Sequence, residues 1–281
     1  HWTYRLELDA AASDVFDQDG YIGWEKHKEF KLRIGQHKTP FGGEQTYSRG
    51  SLFFLERSMI GDNIKEGKSR GIYAFGRINP MFAYKASISN GTGGSNDDNI
   101  DKDYALRLIM NPFKGHYLGN MLPLEVNLNV AIGQQAHSSN GARPRLFLRN
   151  NRLTVFNQAT EGMRRRFGGD IWYNKDYKAG LPVSATFEFI YEDQEMRGPV
   201  LGRSTDKVER YGWHLQGGYM LMGSRKKDGL EFVAKYEQIE MDDQDTSPGD
   251  LDIAGQTVKT VGLGMNYWPV KEIRFSLNGF V

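Results

Sequence analysis

Apolar and polar residues alternate with a period of two along almost the whole chain. In residues 2–9, Trp2, Tyr4 and Leu6 fall on one face, while Arg5 and Glu7 fall on the other. Successive side chains of a strand point to opposite faces, so this pattern predicts β-strands with one apolar and one polar face. The pattern recurs at 30–34, 82–89, 104–110, 124–132, 183–191, 213–221, 232–237 and 273–278, and more weakly at 15–24, 70–78, 167–173 and 257–267. The sequence therefore predicts thirteen strands.

The lengths of the strands and of their connections indicate a membrane protein. Many of the strands have about nine to eleven residues, the length that crosses a bilayer when a strand is tilted. Short connections alternate with long ones, and the long ones are 38–69, 90–102, 134–166, 193–208 and 240–256. Outer-membrane barrels show this asymmetry. We expect residues 1–281 to form a single all-β domain, a transmembrane antiparallel β-barrel. The alternative is a water-soluble sandwich or propeller, which has shorter strands.

Composition excludes several other classes of protein. A disordered chain would not contain 12% aromatic residues, and no apolar run reaches the roughly 18 residues of a transmembrane helix. The 36 Lys and Arg nearly balance the 35 Asp and Glu, which argues against a nucleic-acid partner. Single-chain bacterial barrels have an even number of strands, so an odd count predicts that terminal strands are missing from this sequence.

One segment carries a more specific signal than the alternation. It reads Gly35-Gln36-x-Lys38-x-Pro40-Phe41, followed by Glu44 and then by Glu56-Arg57-Ser58. This run resembles the phosphate-selective porin O and P family of bacterial outer membranes. The resemblance implies a water-filled barrel of sixteen strands, usually trimeric, in which loop 38–69 folds inward to constrict the pore. It also implies that arginines and lysines line this constriction.

Five cations are candidates for lining the pore and binding anions. Lys38 and Arg49 lie in the segment that resembles the family's constriction, and Arg57 is expected either there or in an ion pair with Glu56. Arg33 and Arg107 fall on the polar face of predicted strands. The inward-facing strand positions as a whole hold seven cations and seven anions, so the balance of the wall does not by itself predict phosphate specificity.

Two long loops are strongly charged. Loop 134–166 contains Arg143, Arg145, Arg149, Arg152, Arg164, Arg165 and Arg166 against Glu161 alone, whereas loop 240–256 is acidic. The basic loop is either a vestibule that gathers anions or a surface that binds the phosphates of lipopolysaccharide or the acidic loop. Both interpretations stay open at this point.

The motifs expected of an enzyme or of a metal site are missing from the sequence. The six histidines lack the spacing of metal ligands, and the acidic run 242–252 lacks the glycine and glutamate of a calcium-binding hand. We expect no enzymatic activity, no cofactor and no metal. The predicted function is passive diffusion of small hydrophilic solutes, with a preference for anions such as phosphate. Its surroundings would be outer-membrane lipid and lipopolysaccharide. The alternatives are a barrel that sheathes a membrane-crossing partner, such as a redox protein, and a barrel enzyme.

Overall fold

The computed structural model describes residues 1–9, 16–64, 67–91, 100–115, 122–135, 145–149, 152–156, 162–177, 179–196, 206–243 and 256–281. Its strands are β1 (Trp2–Asp9), β2 (Phe16–Trp24), β3 (Lys31–Lys38), β4 (Lys68–Arg77), β5 (Phe82–Ser89), β6 (Asp103–Met110), β7 (Leu124–Gln135), β8 (Arg145–Arg149), β9 (Arg152–Phe156), β10 (Gly162–Tyr173), β11 (Val183–Met196), β12 (Asp206–Ser224), β13 (Lys227–Asp243), β14 (Gln256–Val270) and β15 (Ile273–Phe280). Two short helices, α1 (Gly43–Thr46) and α2 (Met59–Asn63), lie between β3 and β4.

Thirteen of these strands form one antiparallel sheet, in which each strand pairs with its neighbours along the chain except that β7 pairs with β10. The predicted all-β fold and strand count are confirmed. The strands β8 and β9 form a separate hairpin inside loop 134–166, which the sequence did not predict. Among the described strands, β1 and β15 form the two edges and do not pair with each other. A barrel of sixteen strands stays a prediction.

The two faces of the sheet have the polarity of a membrane barrel. On the outward face, Ile72, Ile88 and Leu128 are exposed. On the inward face, polar residues such as Arg107 and Asn266 are fully buried. This arrangement is the reverse of a soluble protein and places apolar side chains against lipid and polar side chains in the interior. None of the helices in the described part of the chain is long and apolar enough to cross a membrane.

Most connections alternate in length, as predicted; the exceptions are 111–123, which is as long as 90–102, and 10–15, which is short. One end of the sheet carries 111–123 and the short connections 25–30, 78–81, 174–182, 225–226 and 271–272. The other end carries the connection between β3 and β4 and five further connections in which some or all residues lie outside the described part of the chain.

Residues 39–64, here called the interior segment, lie on the polar side of the sheet. The segment contains α1, α2 and a single 3₁₀ turn at Arg49–Ser51. Its buried apolar side chains include Phe41, Phe53 and Ile60, which pack against inward-facing apolar residues such as Ile190, Val233 and Ile239. A β-carbon at Gly212 would lie 2.2 Å from Ile60 Cγ2, so β12 makes room for the segment. The main apolar core therefore forms between the interior segment and the wall of the barrel.

Candidate functional site: the barrel interior

Three cations lie together where the chain leaves β3 and enters the interior segment. Lys38 Nζ donates to the carbonyl oxygen of Tyr47 at 3.2 Å, and Arg57 Nε donates to that of Glu44 at 3.1 Å. Arg49 is exposed, and the positive charges of Arg49 and Arg57 both act on Lys38. Burial and the nearby charge of Arg49 lower the pKa of Arg57. We call Lys38, Arg49 and Arg57 the cation cluster.

Lys38 and Arg57 use backbone carbonyls, not carboxylates, as hydrogen-bond partners. No described carboxylate makes an ion pair with any of the three. The pairing of Arg57 with Glu56 suggested by the sequence is replaced by the bond to the Glu44 carbonyl, because the guanidinium reaches back toward α1. Asp19 acts on Lys38, and Asp62 and Glu44 act on Arg57, but none of these carboxylates forms an ion pair with the cluster, so its positive charge can attract a small anion.

The other two predicted pore cations are engaged in ion pairs. Arg107 is fully buried and holds Asp170 through two hydrogen bonds of 2.7 and 2.9 Å. Arg33 donates to Glu25 Oε1 from both Nε, at 2.9 Å, and Nη2, at 2.8 Å. These guanidinium groups are already neutralised, so their geometry fits a structural role better than contact with a passing anion.

A basic cavity of about 400 Å³ lies between Tyr47 and the strands β4 to β7, at the end of the sheet with short connections. Its charged lining comprises four cations and one acid, namely Arg77, Lys85, Lys114, Lys175 and Glu125. The hydroxyl of Tyr47 donates to Glu125, which partly satisfies that acid. Lys85 has no hydrogen bond or ion pair to any described residue.

The acids of the opposite wall hold the interior segment. Glu188 accepts hydrogen bonds from the backbone nitrogens of Gly43, at 2.5 Å, and Glu44, at 3.2 Å. Glu237 accepts one from the backbone nitrogen of Met59, at 2.7 Å. Both carboxylates are buried. Because their charge is directed at the backbone of the segment, these acids do not face an open passage.

The side chains of Glu44, Glu188 and His214 approach one another as metal ligands do, within 4.8 Å. The sequence showed no such group, because the three residues are far apart along the chain. Every carboxylate oxygen already accepts a hydrogen bond, however. Those of Glu188 serve the backbone of α1, and those of Glu44 serve Ser58 N at 2.6 Å and Gln216 Nε2 at 2.5 Å. The group is therefore best described as a hydrogen-bonded contact between wall and segment.

Charge is segregated between two walls of the barrel. The strands β3, β4 and β5 contain no acidic residue; their bases are Lys31, Arg33, Lys38, Lys68, Arg70, Arg77 and Lys85. The strands β11, β12 and β13 are rich in acids, among them Glu188, Glu192, Glu231 and Glu237. The balanced count of inward charges thus conceals a basic wall and an acidic wall.

The arginines of the predicted loop 134–166 do not form one group in the structure. Arg164 and Arg165 belong to β10, where they pair with Asp103 at 2.9 Å and with Asp193 at 3.3 Å. Arg166 also belongs to β10 and lies over the ring of Phe41. Arg143 and Glu161 lie outside the described residues, as does most of the acidic loop 240–256. Three of the seven arginines of the predicted vestibule therefore belong to the wall.

Sequence reasoning missed the acids that anchor the interior segment. Glu188 and Glu237 appeared only in the inward charge count, and their partners are 145 and 178 residues away. The residues Gly42, Gly43 and Glu44 stood in the recognised segment, but nothing in their spacing indicated that their backbone would bind a carboxylate.

The fold and the interior together define a class. An antiparallel sheet with an apolar outer face, a polar interior and an inward segment is the architecture of a bacterial outer-membrane porin. The model of the phosphate-selective porin O and P family matches residues 1–279. The chain belongs to that family, and it is a protein of the bacterial outer membrane.

Solved structures support the fold. OmpT, an outer membrane protein of Vibrio cholerae, folded in vitro and in its trimer form, has a TM-score of 0.61 at 12% identity, over 99% of this chain and 74% of that chain. Its loop L8 deletion mutant has a TM-score of 0.58 at 15% identity, over 99% and 80%. The form expressed in the outer membrane has a TM-score of 0.60 at 14% identity, over 98% and 72%. No curated protein sequence matches the chain.

Proposed function

We propose that this porin conducts small anions, phosphate among them, through a passage that the interior segment narrows. The cation cluster carries the proposal. It places the ammonium of Lys38 and the guanidinium groups of Arg49 and Arg57 near one another at the segment, and Lys38 and Arg57 bond to carbonyls in place of carboxylates. A guanidinium fork can hold two oxygens of an oxyanion, and an ammonium supplies a point charge beside it.

The cations of the basic wall support a path for anions that extends from the cation cluster toward both ends of the barrel. Lys85 and the other cations of the basic cavity lie at the end with short connections, while Arg70 lies near the start of β4, toward the opposite end. On the far wall, Glu188 and Glu237 bond to the interior segment, and Glu192 bonds to Arg210. An anion would therefore meet positive potential along β3 to β5, although the net charge of the protein is only +1.

The interior segment also helps to choose between a channel and a sheath for a membrane-crossing partner. It fills space that a membrane-crossing partner would need, which favours a channel over a sheath. We further propose that the channel transforms nothing chemically and that it assembles as a homotrimer. The similarity to a trimeric outer-membrane barrel supports this assembly.

The test is inhibition of chloride current by added phosphate in a planar bilayer. A charge-assisted hydrogen bond contributes about 1.5–3 kcal/mol, so Arg49→Ala should weaken the inhibition roughly tenfold or more. Arg49→Lys retains the charge without the fork and should lie between the two. Lys38→Ala should have a smaller effect, since an ammonium makes a less directional contact. Two results would contradict the proposal: wild type not inhibited by phosphate, or Arg49→Ala inhibited as strongly as wild type.

A further inference from the structure

The first helix of the interior segment begins against one buried carboxylate of the far wall. Glu188 Oε1 lies 2.5 Å from the backbone nitrogen of Gly43, and Oε2 lies 3.2 Å from that of Glu44. Successive backbone N–H groups that converge on one anion form a small nest for it. Here the anion is a side chain of β11, so a single residue of the wall determines where α1 sits.

The same contact extends to the second helix. Glu44 Oε2 accepts from Ser58 N at 2.6 Å, and Ser58 Oγ accepts from Gly61 N at 3.1 Å and so caps α2. His214 Nε2 lies 3.1 Å from Glu188 Oε2. The pKa of Glu44 is low despite its burial, because His214, Lys235 and the bonds from Ser58 favour its charged form. The carboxylates of Glu188 and Glu44 therefore tie both halves of the segment to the wall.

Glycines at positions 42 and 43 allow the backbone of the interior segment to approach Glu188 closely. Gly42 has φ of 78°, in the left-handed region that favours glycine. A β-carbon at Gly43 would lie 2.8 Å from Asp170 Cγ. Asp170 cannot move aside, because Arg107 and Trp172 both donate hydrogen bonds to it. The chain can reach Glu188 only with these glycines.

We propose that Glu188 is a positioning residue of the channel: through the backbone N–H groups of Gly43 and Glu44 it holds the interior segment in place and keeps the passage open at one width. The proposal rests on the narrowing role proposed above for that segment. It does not rest on phosphate binding, because the hydrogen bonds from Gly43 and Glu44 to Glu188 involve none of the three cations of the cluster. It assigns a role to Gly42-Gly43-Glu44: this stretch provides the backbone N–H groups that bind the carboxylate of Glu188.

The first test compares Glu188→Gln with Glu192→Gln in single-channel recordings in potassium chloride without phosphate. Both glutamates are buried on β11, but Glu192 bonds to Arg210 and not to the segment. An amide cannot accept at both of its ends, so Glu188→Gln loses one of the two backbone bonds. We expect closures to become at least about tenfold more frequent, and several conductance levels to replace one. Glu192→Gln should keep the single level of the wild type. Equal behaviour of the two variants would overturn the proposal.

The second test moves the segment without changing any charge. Gly43→Ala places a methyl group against Asp170, whereas Gly50→Ala in the same segment meets no atom closer than 3.8 Å. Gly43→Ala should reproduce the closures of Glu188→Gln, and Gly50→Ala should resemble the wild type. A Gly43→Ala channel with wild-type conductance and closing rate would overturn the proposal. This comparison stays decisive if Glu188→Gln does not fold.

These recordings separate the two proposals. Frequent closures in Glu188→Gln together with phosphate inhibition that Arg49→Ala leaves unchanged would support the positioning role and refute the anion site. Stable channels in both Glu188→Gln and Gly43→Ala, with inhibition lost in Arg49→Ala, would refute the positioning role and support the anion site.

Discussion

The walls formed by β3–β5 and by β11–β13 are built alike, with alternating side chains and apolar outer faces, yet their inward charges have different partners. On the acidic wall, Glu188 and Glu237 are buried and accept backbone N–H groups of the interior segment. On the basic wall, Lys85 has no hydrogen-bond partner among the described residues, and Lys38 has a carbonyl. The difference teaches that a charge influences passing ions only where nothing in the protein has already neutralised it.

The different partners of the charges on the two walls explain how an interior with equal numbers of cations and anions can prefer anions. Seven inward cations and seven inward anions suggest a wall without preference. Buried charges that are paired or hydrogen-bonded contribute little to the field in the passage. Those that remain lie mainly on one side and are positive. The interior segment contributes to this difference, because it crosses from β3 to the acidic wall and bonds there to Glu188 and Glu237.

The largest expected effect comes from a base that the structure holds in a buried ion pair. Arg107→Ala leaves Asp170 buried without its partner, and breaking a buried ion pair costs about 3–5 kcal/mol. The free energy of unfolding should fall by that amount in urea titrations of the protein in lipid vesicles. Arg77→Ala, at an exposed position, should change it by less than about 0.5 kcal/mol. If Arg107→Ala instead left stability intact and weakened phosphate inhibition, the claim that ion-paired cations are structural and do not bind passing anions would be wrong.

A smaller effect is expected from reversing the charge of Lys85, which forms no ion pair with a described residue. Lys85→Glu places an acid in the basic cavity, and two charges near one another in a partly wet site interact by about 1 kcal/mol after screening. The ratio of chloride to potassium permeability should therefore fall roughly fivefold. Lys226→Glu makes the same change at an exposed position in the turn after β12 and should leave the ratio within experimental error. Similar shifts in both variants would show that net charge matters more than position.

The strands could be predicted from the sequence because each of them carries its own period-two signal. The thirteen-stranded sheet needs nothing beyond that local pattern and pairing between neighbours. The hairpin of β8 and β9 escaped prediction because its strands, Arg145–Arg149 and Arg152–Phe156, are only five residues long and lie within a long connection.

The interior was less predictable, for a physical reason. The cation cluster lies within twenty residues of sequence around a recognisable motif, so Lys38 and Arg49 could be proposed in advance. The bond between Gly43 and Glu188 depends on how the segment crosses the barrel, and no local pattern encodes that path. The pairing of Arg107 with Asp170 is equally non-local, since it depends on the register of β6, β7 and β10.

The central claim is that the passage carries positive potential because the acids are covered. Reversal potentials of the wild-type channel across a potassium chloride gradient test it most directly. We expect chloride to be preferred over potassium at about 0.1 M salt, and the preference to decline toward 1 M as the Debye length falls from roughly 10 to 3 Å. A clear preference for potassium at low salt would contradict the account, because it would mean that the acidic wall, and not the basic one, faces the moving ions.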